Sequence, residues 1–336
     1  MIREALLYEK LENSRVQCSL CAHRCKINPG RRGLCGVREN KDGILYSLVF
    51  GTLIAEHVDP IEKKPFFHVY PTSRSYSIAT VGCNFSCEFC QNHEISQMPR
   101  STLMITGVDT ASAIIVERAK SNDCKTIAYT YTEPTVYLET VLETAKIACR
   151  EGLKNVFVTN GFMSLEAIEM MAPYLVAANV DLKSFRDDFY KKRCGARLNP
   201  VLDSLKKMKD KGIWLEITTL LIPGLNDSPE ELKDIAAFIS NLCPEIPWHI
   251  SRFHPQFKML KVPSTPVSSL HRARYIGKEA GLKYVYSGNV PGDEGENTYC
   301  SNCNKLLIKR YIYRIDENNL SGNSCPACGK ELDGVF

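Results

Sequence analysis

Three cysteines, Cys83, Cys87 and Cys90, fall in the segment Gly82-Cys83-Asn84-Phe85-Ser86-Cys87-Glu88-Phe89-Cys90-Gln91-Asn92 with C-x3-C-x2-C spacing, directly after the strand-like run Ser75 to Val81. Three thiolates this close can bind three irons of a cubane iron–sulfur cluster, and a full set of protein ligands would need a fourth. An iron without a protein thiolate can hold a small molecule, so the loop points to redox chemistry at an open cluster corner. The competing reading is half of a zinc site, since zinc also takes closely spaced cysteines. Apart from His93 no fourth ligand stands nearby, the next cysteine being Cys124. The cluster is the preferred reading.

The chain has 15 cysteines, and two further sets have metal-ligand spacing. Cys300, Cys303, Cys325 and Cys328 form two C-x2-C knuckles. Four thiolates so placed can close a tetrahedral zinc site, and so short a module needs such a staple. A rubredoxin-like iron site would use the same ligands, with zinc preferred. Cys18, Cys21, Cys25 and Cys35, with His23 among them, fit either structural zinc or an auxiliary iron–sulfur cluster, with zinc slightly preferred. Cys124, Cys149, Cys194 and Cys243 are scattered and read as small apolar residues.

The elements that must position these groups alternate between strand and helix. Strands are predicted at Ser75 to Val81, Lys125 to Thr130, Asn155 to Thr159, Leu175 to Leu182, Ile213 to Leu221 and Ile246 to Phe253. Helices are predicted at Asp109 to Lys120, Pro134 to Arg150, Ser164 to Met171, within Pro200 to Lys211, after Ser228, and at Ser268 to Ala280. Leu138, Val141, Leu142 and Ala145 share one helix face, and Ser228-Pro229-Glu230-Glu231 reads as a capping box with Pro at the first helical position. Six strand–helix units imply a parallel sheet with right-handed crossovers, either a partial (β/α)6 TIM-like barrel or a flat doubly wound sheet. In both, functional loops leave the C-terminal strand ends. The expected division is a Cys-rich N-terminal extension (1–70), an α/β core domain (71–290) and a small zinc-ribbon-like module (297–336), with a turn-rich linker near Val290-Pro291-Gly292.

Bulk composition narrows the function classes. The chain has 336 residues and is 44% hydrophobic and 24% charged, with a net charge of +4. That balance supports a sizeable core and argues against nucleic acid as a partner. No apolar run approaches the roughly 20 residues of a membrane span. The N-terminal Met1-Ile2-Arg3-Glu4 carries an early acid and opens no cleavable apolar core, so a cytoplasmic location is expected. No carboxylate pair or Ser-His-Asp order nominates acid–base chemistry instead.

With its aromatic Phe89 before the third cysteine, the cluster loop resembles the signature of the radical SAM superfamily. The resemblance implies a [4Fe-4S] cluster whose open iron chelates S-adenosyl-L-methionine (SAM). It further implies reductive cleavage of SAM to a 5′-deoxyadenosyl radical, which abstracts hydrogen from a substrate. Tyr131-Thr132-Glu133-Pro134 resembles the segment whose acid binds the methionine ammonium, although the family's two glycines are absent. Unaided, Glu133 is an acid at a helix start, which the macrodipole also favours. Thr159-Asn160-Gly161 and Asp181-Leu182-Lys183 resemble the glycyl-radical-activating branch, where Asn160, Asp181 and Lys183 would contact the cofactor's ribose and carboxylate. Pro223-Gly224-Leu225-Asn226-Asp227 resembles that branch's Pro-Gly loop, and equally an ordinary turn. His254 resembles its strand-six histidine and is preferred over His249, which reads as structural. Taken with Asp59-Pro60-Ile61-Glu62-Lys63-Lys64-Pro65 and the flanking cysteine sets, the chain resembles an AmmeMemoRadiSam system radical SAM enzyme, similar in its core to pyruvate formate-lyase activating enzymes. Its implied partners are a flavodoxin- or ferredoxin-type electron donor and Memo-like and AMME-type proteins. Two alternatives are an activase that places a glycyl radical on a partner enzyme and a non-catalytic metal-binding adaptor.

Overall fold

The alternating units fold as one sheet. In the structure, a computed structural model describing residues 1–336, eight strands join: β1 (Ala55–Pro60), β2 (Arg74–Ala79), β3 (Cys124–Tyr129), β4 (Lys154–Thr159), β5 (Leu175–Asp181), β6 (Trp214–Leu221), β7 (Trp248–Arg252) and β8 (Val285–Gly288). β2 to β8 pair in parallel, and β1 lies antiparallel to β2 with Val58 opposite Tyr76. Six helices cover the sheet: α1 (Ser112–Ser121), α2 (Leu138–Arg150), α3 (Leu165–Met171), α4 (Asn199–Asp210), α5 (Pro229–Leu242) and α6 (Val267–Glu279).

Strand order in space equals strand order along the chain. A doubly wound sheet reverses its order at a switch point, and no reversal occurs here. Right-handed crossovers that always step the same way put every helix on one face. The sheet therefore curls around its other face, as the barrel expectation required. β8 does not pair with β1, so the barrel stays open.

β1 and β8 went unforeseen for physical reasons. β1 carries Glu56, His57 and Asp59 and has exposed positions, so it has no apolar run. β8 spans only four residues beyond the last helix. The helix expected from Asp109 begins instead at Ser112, because Val108–Asp109 pairs with Thr52–Leu53 and Asp109 Oδ1 accepts from Met1 N at 3.0 Å and Thr52 Oγ1 at 2.7 Å.

The helix faces settle as their spacing dictates. On α2, Leu138, Val141, Ala145 and Ala148 are buried. On α5, Leu232, Ile235, Ala236 and Ile239 are buried, and Ser228 Oγ accepts from Glu231 N at 3.2 Å. The other half of that capping box is not made: the Glu231 carboxylate turns to the loop after β5 and accepts from Phe185 N at 2.8 Å.

The flanking segments are continuous with the barrel. Val16, Leu20, Ile27, Val37 and Leu45 belong to the same apolar core as the helices and strands, and the sheet already begins at Ala55, upstream of the expected division at residue 70. The tail packs Leu307 and Ile308 with Phe67, Tyr284 and Tyr286. Arg310 Nη2 donates to Phe67 O at 3.1 Å, and Tyr286 Oη lies 2.9 Å from Thr298 Oγ1. The tail thus spans from the last strand to the segment after the first, across the open side of the barrel.

Candidate active site

The Gly82–Asn92 loop leaves the C-terminal end of β2 and is pinned from two sides. At Gly82, φ is +99°, and a Cβ there would meet Val37 Cγ1 at 2.5 Å and Cys35 O at 3.1 Å, so the close approach of the N-terminal segment requires glycine. On the other side, a π-helical turn at Tyr190–Cys194 receives Ser86 N on Cys194 O (2.8 Å) and Glu88 N on Arg193 O (3.0 Å). Such π turns recur at functional sites.

Cys83, Cys87 and Cys90 face a cavity of about 450 Å³ inside the barrel, within the size range of small-molecule sites. Two of the three sulfurs already have polar partners: Phe85 N lies 3.3 Å from Cys83 Sγ, Asn160 Nδ2 3.8 Å from Cys83 Sγ, and Ser96 Oγ 3.3 Å from Cys90 Sγ. Three soft ligands in one loop, backed by N–H and O–H donors, fit an iron–sulfur cluster. As free thiols they are poor acids. Burial raises Cys83 and Cys90, and the adjacent Cys194 thiol together with burial raises Cys87. Metal binding must therefore displace their protons.

Of the five residues expected at the cofactor, four line this cavity: Glu133, Asn160, Asp181 and Lys183. Glu133 is 2% exposed. Its Oε1 accepts from Thr135 N at 3.1 Å, as a helix cap, and from Thr159 Oγ1 at 2.7 Å; Oε2 accepts from Asn160 N at 2.8 Å. Burial raises its pKa against those donors. Asn160 links acid and cluster loop, donating from Nδ2 to Asn84 Oδ1 at 2.7 Å. Lys183 Nζ pairs with Asp181 Oδ2 at 2.8 Å. Burial opposes the charge on Lys183, but Asp181 and the thiols of Cys87 and Cys194 outweigh it and hold the ammonium well above its ordinary pKa.

His254 is not brought to the cavity. It is exposed, with Nδ1 3.3 Å from Ser264 Oγ. His249 lines the cavity instead, buried, with Nε2 2.6 Å from Glu216 Oε2. Glu216 also accepts from Phe67 N (3.0 Å) and His68 N (2.9 Å), tying the β1–β2 connection to β6. Burial alone would raise Glu216, yet the two histidines and the backbone donors keep it below its ordinary value. The Pro223–Asp227 loop serves as a clamp: Asn226 Nδ2 donates to Lys183 O at 2.7 Å and Leu220 O at 2.9 Å.

Three contributions were not legible as site residues. Lys64 lines the cavity, 2% exposed, with Nζ 2.6 Å from Asp59 Oδ2 and 4.1 Å from the Tyr131 ring centroid. Burial pulls it down to about 8 despite Asp59. Asp59 also accepts from the Tyr131 hydroxyl and from Lys63 Nζ at 2.8 Å; burial opposes its charge, but these partners hold it far below the usual carboxylate range. Cys194, expected as mere packing, abuts Cys87. Ile312 and Tyr313, at the tip of the tail hairpin, close part of the cavity wall. The segment Asp59 to Pro65 was the available signal for the first of these; the other two depend on long-range contacts.

The two outer cysteine sets differ in geometry. All four tail sulfurs lie within 4.8 Å of one another, with Cys300–Cys328 and Cys303–Cys325 at 3.6 Å. A tetrahedron with Zn–S of about 2.3 Å has sulfurs about 3.8 Å apart, so this set fits one ion. The residue after each knuckle, Asn304 (φ +58°) and Gly329 (φ +72°), turns left-handed. Cys18, Cys21, Cys25 and Cys35 instead line a separate small cavity below the cluster loop.

An open parallel barrel with a three-cysteine loop at its first parallel strand defines a class of iron–sulfur enzymes. The family model for the radical SAM superfamily matches residues 77–239. An uncharacterized protein of Methanocaldococcus jannaschii is 46% identical over 338 residues, covering 100% of both chains. A second protein of that organism, named "Putative glycyl-radical enzyme activating enzyme", is 25% identical over 217 residues, covering 63% of this chain and 79% of its own. Among solved structures, a radical SAM methyltransferase from Sphaerobacter thermophilus shares the fold with a TM-score of 0.53 at 16% identity, over 70% of this chain and 71% of that one. The chain belongs to the radical SAM superfamily, whose members bind a [4Fe-4S] cluster and SAM. No helix is long and apolar enough to cross a membrane.

Proposed function

We propose that the protein reductively cleaves SAM at a cluster held by Cys83, Cys87 and Cys90 and uses the product to take hydrogen from a substrate in the barrel cavity. The observation that carries this reading is the convergence of three thiols, Glu133, Asn160, Asp181 and Lys183 on one cavity of about 450 Å³. When bound, cluster and SAM supply a one-electron C–S cleavage that yields a 5′-deoxyadenosyl radical.

The chain's own groups have defined tasks in this proposal. Glu133 Oε2 has one backbone donor and accepts a second, from the methionine ammonium. Lys183, fixed by Asp181 and by Asn226 at its carbonyl, offers a cation to the methionine carboxylate. Asn160 contacts the ribose while its amide holds Glu133. The Tyr313 hairpin and the Lys64–Asp59–Tyr131 group wall off the far side, where substrate sits.

Three finer readings rest on resemblance, and a fourth, zinc in the tail, on cysteine spacing. The likeness to a glycyl-radical activating protein favours a partner protein as the hydrogen donor, which a protein-centred electron paramagnetic resonance (EPR) signal on that partner would reveal. Assignment to the AmmeMemoRadiSam group, with Memo-like and AMME-type partners, stands on the motifs quoted above. A flavodoxin- or ferredoxin-type protein supplies the electron, and zinc occupies the tail site. EPR of the reduced, reconstituted protein tests the main reading. SAM should alter the core-cluster signal in the wild type and change nothing in the spectrum of Cys87→Ala; a core cluster indifferent to SAM would refute it.

A further inference from the structure

We infer that Cys18, Cys21, Cys25 and Cys35 hold a second iron–sulfur cluster, not a zinc ion, and that this cluster relays electrons to the core site. The contrast with the tail carries the first half. The tail thiols converge to within 4.8 Å, as one zinc ion demands, and they are the one set in the chain that does so. The N-terminal four stand apart around a cavity they line together. In this they behave as the core cysteines do: Cys83, Cys87 and Cys90 also surround space instead of meeting at a point. Four soft ligands spaced around a body wider than an ion suit a cluster.

Arg38 is the independent observation. It is 1% exposed and lines that cavity. Its Nη2 donates to Glu139 Oε1 and Leu6 O, both at 2.7 Å, while Nε and Nη1 have no acceptor. Buried guanidinium donors are rarely left unpaired. A cluster carries sulfide acceptors on its faces as well as thiolates at its corners, and hydrogen bonds to them set its potential. His23 is not needed as a ligand, since its Nε2 lies 2.9 Å from Asn84 O.

The position of the cavity carries the second half. Its outer wall includes Leu34, which is 57% exposed, and its inner wall includes Asn84. Asn84 follows Cys83 directly and accepts from Asn160, and Cys35 O lies against Gly82. The cavity therefore stands between the surface and the core cysteines. A low-potential one-electron carrier protein of the flavodoxin or ferredoxin class would give one electron to the N-terminal cluster, which returns to its oxidised state as it passes that electron inward; no bond is made or broken in the protein.

The relay rests on the proposed function, but the cluster itself can be tested without it. A chain with Cys83, Cys87 and Cys90 all changed to Ala, reconstituted anaerobically, should retain about four iron and about four sulfide per chain, with a reduced EPR signal that SAM does not alter. Zinc at both four-thiolate sites and no retained iron would overturn the proposal. Should that variant misfold, the wild type decides by content: roughly eight iron supports the inference, and about four iron with zinc at both outer sites refutes it. For the relay, Cys18→Ser with Cys35→Ser should keep the core cluster reducible by dithionite yet lose rapid reduction by reduced flavodoxin. An unchanged flavodoxin rate would overturn the relay.

Discussion

Glu133→Gln separates the structural from the functional role of the acid. The substitution keeps side-chain shape but turns one acceptor oxygen into an NH2 group. In the native protein Oε1 faces the donors Thr135 N and Thr159 Oγ1, and Oε2 faces Asn160 N. Whichever way the new amide turns, a donor meets a donor in a site where Glu133 is only 2% exposed. A buried donor left unpaired costs about 1–3 kcal/mol. Burial already raises the Glu133 pKa, so removing the charge recovers part of that cost, and the loss in urea-melt stability should lie near the lower end. SAM loses a charge-assisted hydrogen bond worth about 1.5–3 kcal/mol, which weakens its Kd roughly ten- to a hundredfold. Calorimetric titration of SAM into cluster-loaded variant and wild type measures this. Lowered stability with an unchanged SAM Kd would make Glu133 a helix cap and strand clamp only, refuting its ligand role.

Other perturbations test the frame. The Arg38–Glu139 pair, 2.7 Å apart with side chains 1% and 2% exposed, binds the N-terminal segment to α2; Glu139→Ala should cost about 3–5 kcal/mol in urea melts, because a buried charge loses its partner. His68 is wholly buried and pushed down from 6.5 to about 4 by desolvation. The unfolded chain takes up that proton first, so stability present above pH 6.5 should fall as pH drops toward 4, by up to roughly 3 kcal/mol; wild type compared with His68→Gln in metal-free melts at both pH values isolates it. Zinc chelation, or Cys325→Ala, should speed hydrogen exchange across the Leu306–Tyr311 and Arg314–Asn318 hairpin while core iron content stays constant; loss of the core cluster would contradict the separate roles of the two sites.

Much of this molecule was legible in its sequence because its signals are local. Cysteine spacing marked three clustered sets, of which the tail four converge as one ion requires, and helix periodicity gave the buried faces of α2 and α5. What the sequence left open was decided by long-range geometry. Barrel and doubly wound sheet have the same element pattern, and only the unreversed strand order distinguishes them. His249 and His254 are equally plausible by type, but β7 ends at Arg252 and leaves His254 outside the barrel. Lys64 stands in the Asp59–Pro65 segment, but nothing local to that segment announces its burial; packing against Asp59 and Tyr131 comes from β1 pairing with β2. Cys194 meets Cys87 through a π turn, which no periodicity announces. The tail reads as a separate module, yet its hairpin tip reaches the cavity because the open side of the barrel leaves room for it.

The central claim is that Cys83, Cys87 and Cys90 hold a cluster that cleaves SAM in the barrel cavity. Anaerobically reconstituted protein, reduced with dithionite and incubated with SAM, should form 5′-deoxyadenosine, and Cys87→Ala should form none. A fully cluster-loaded wild type that makes no 5′-deoxyadenosine would contradict the account.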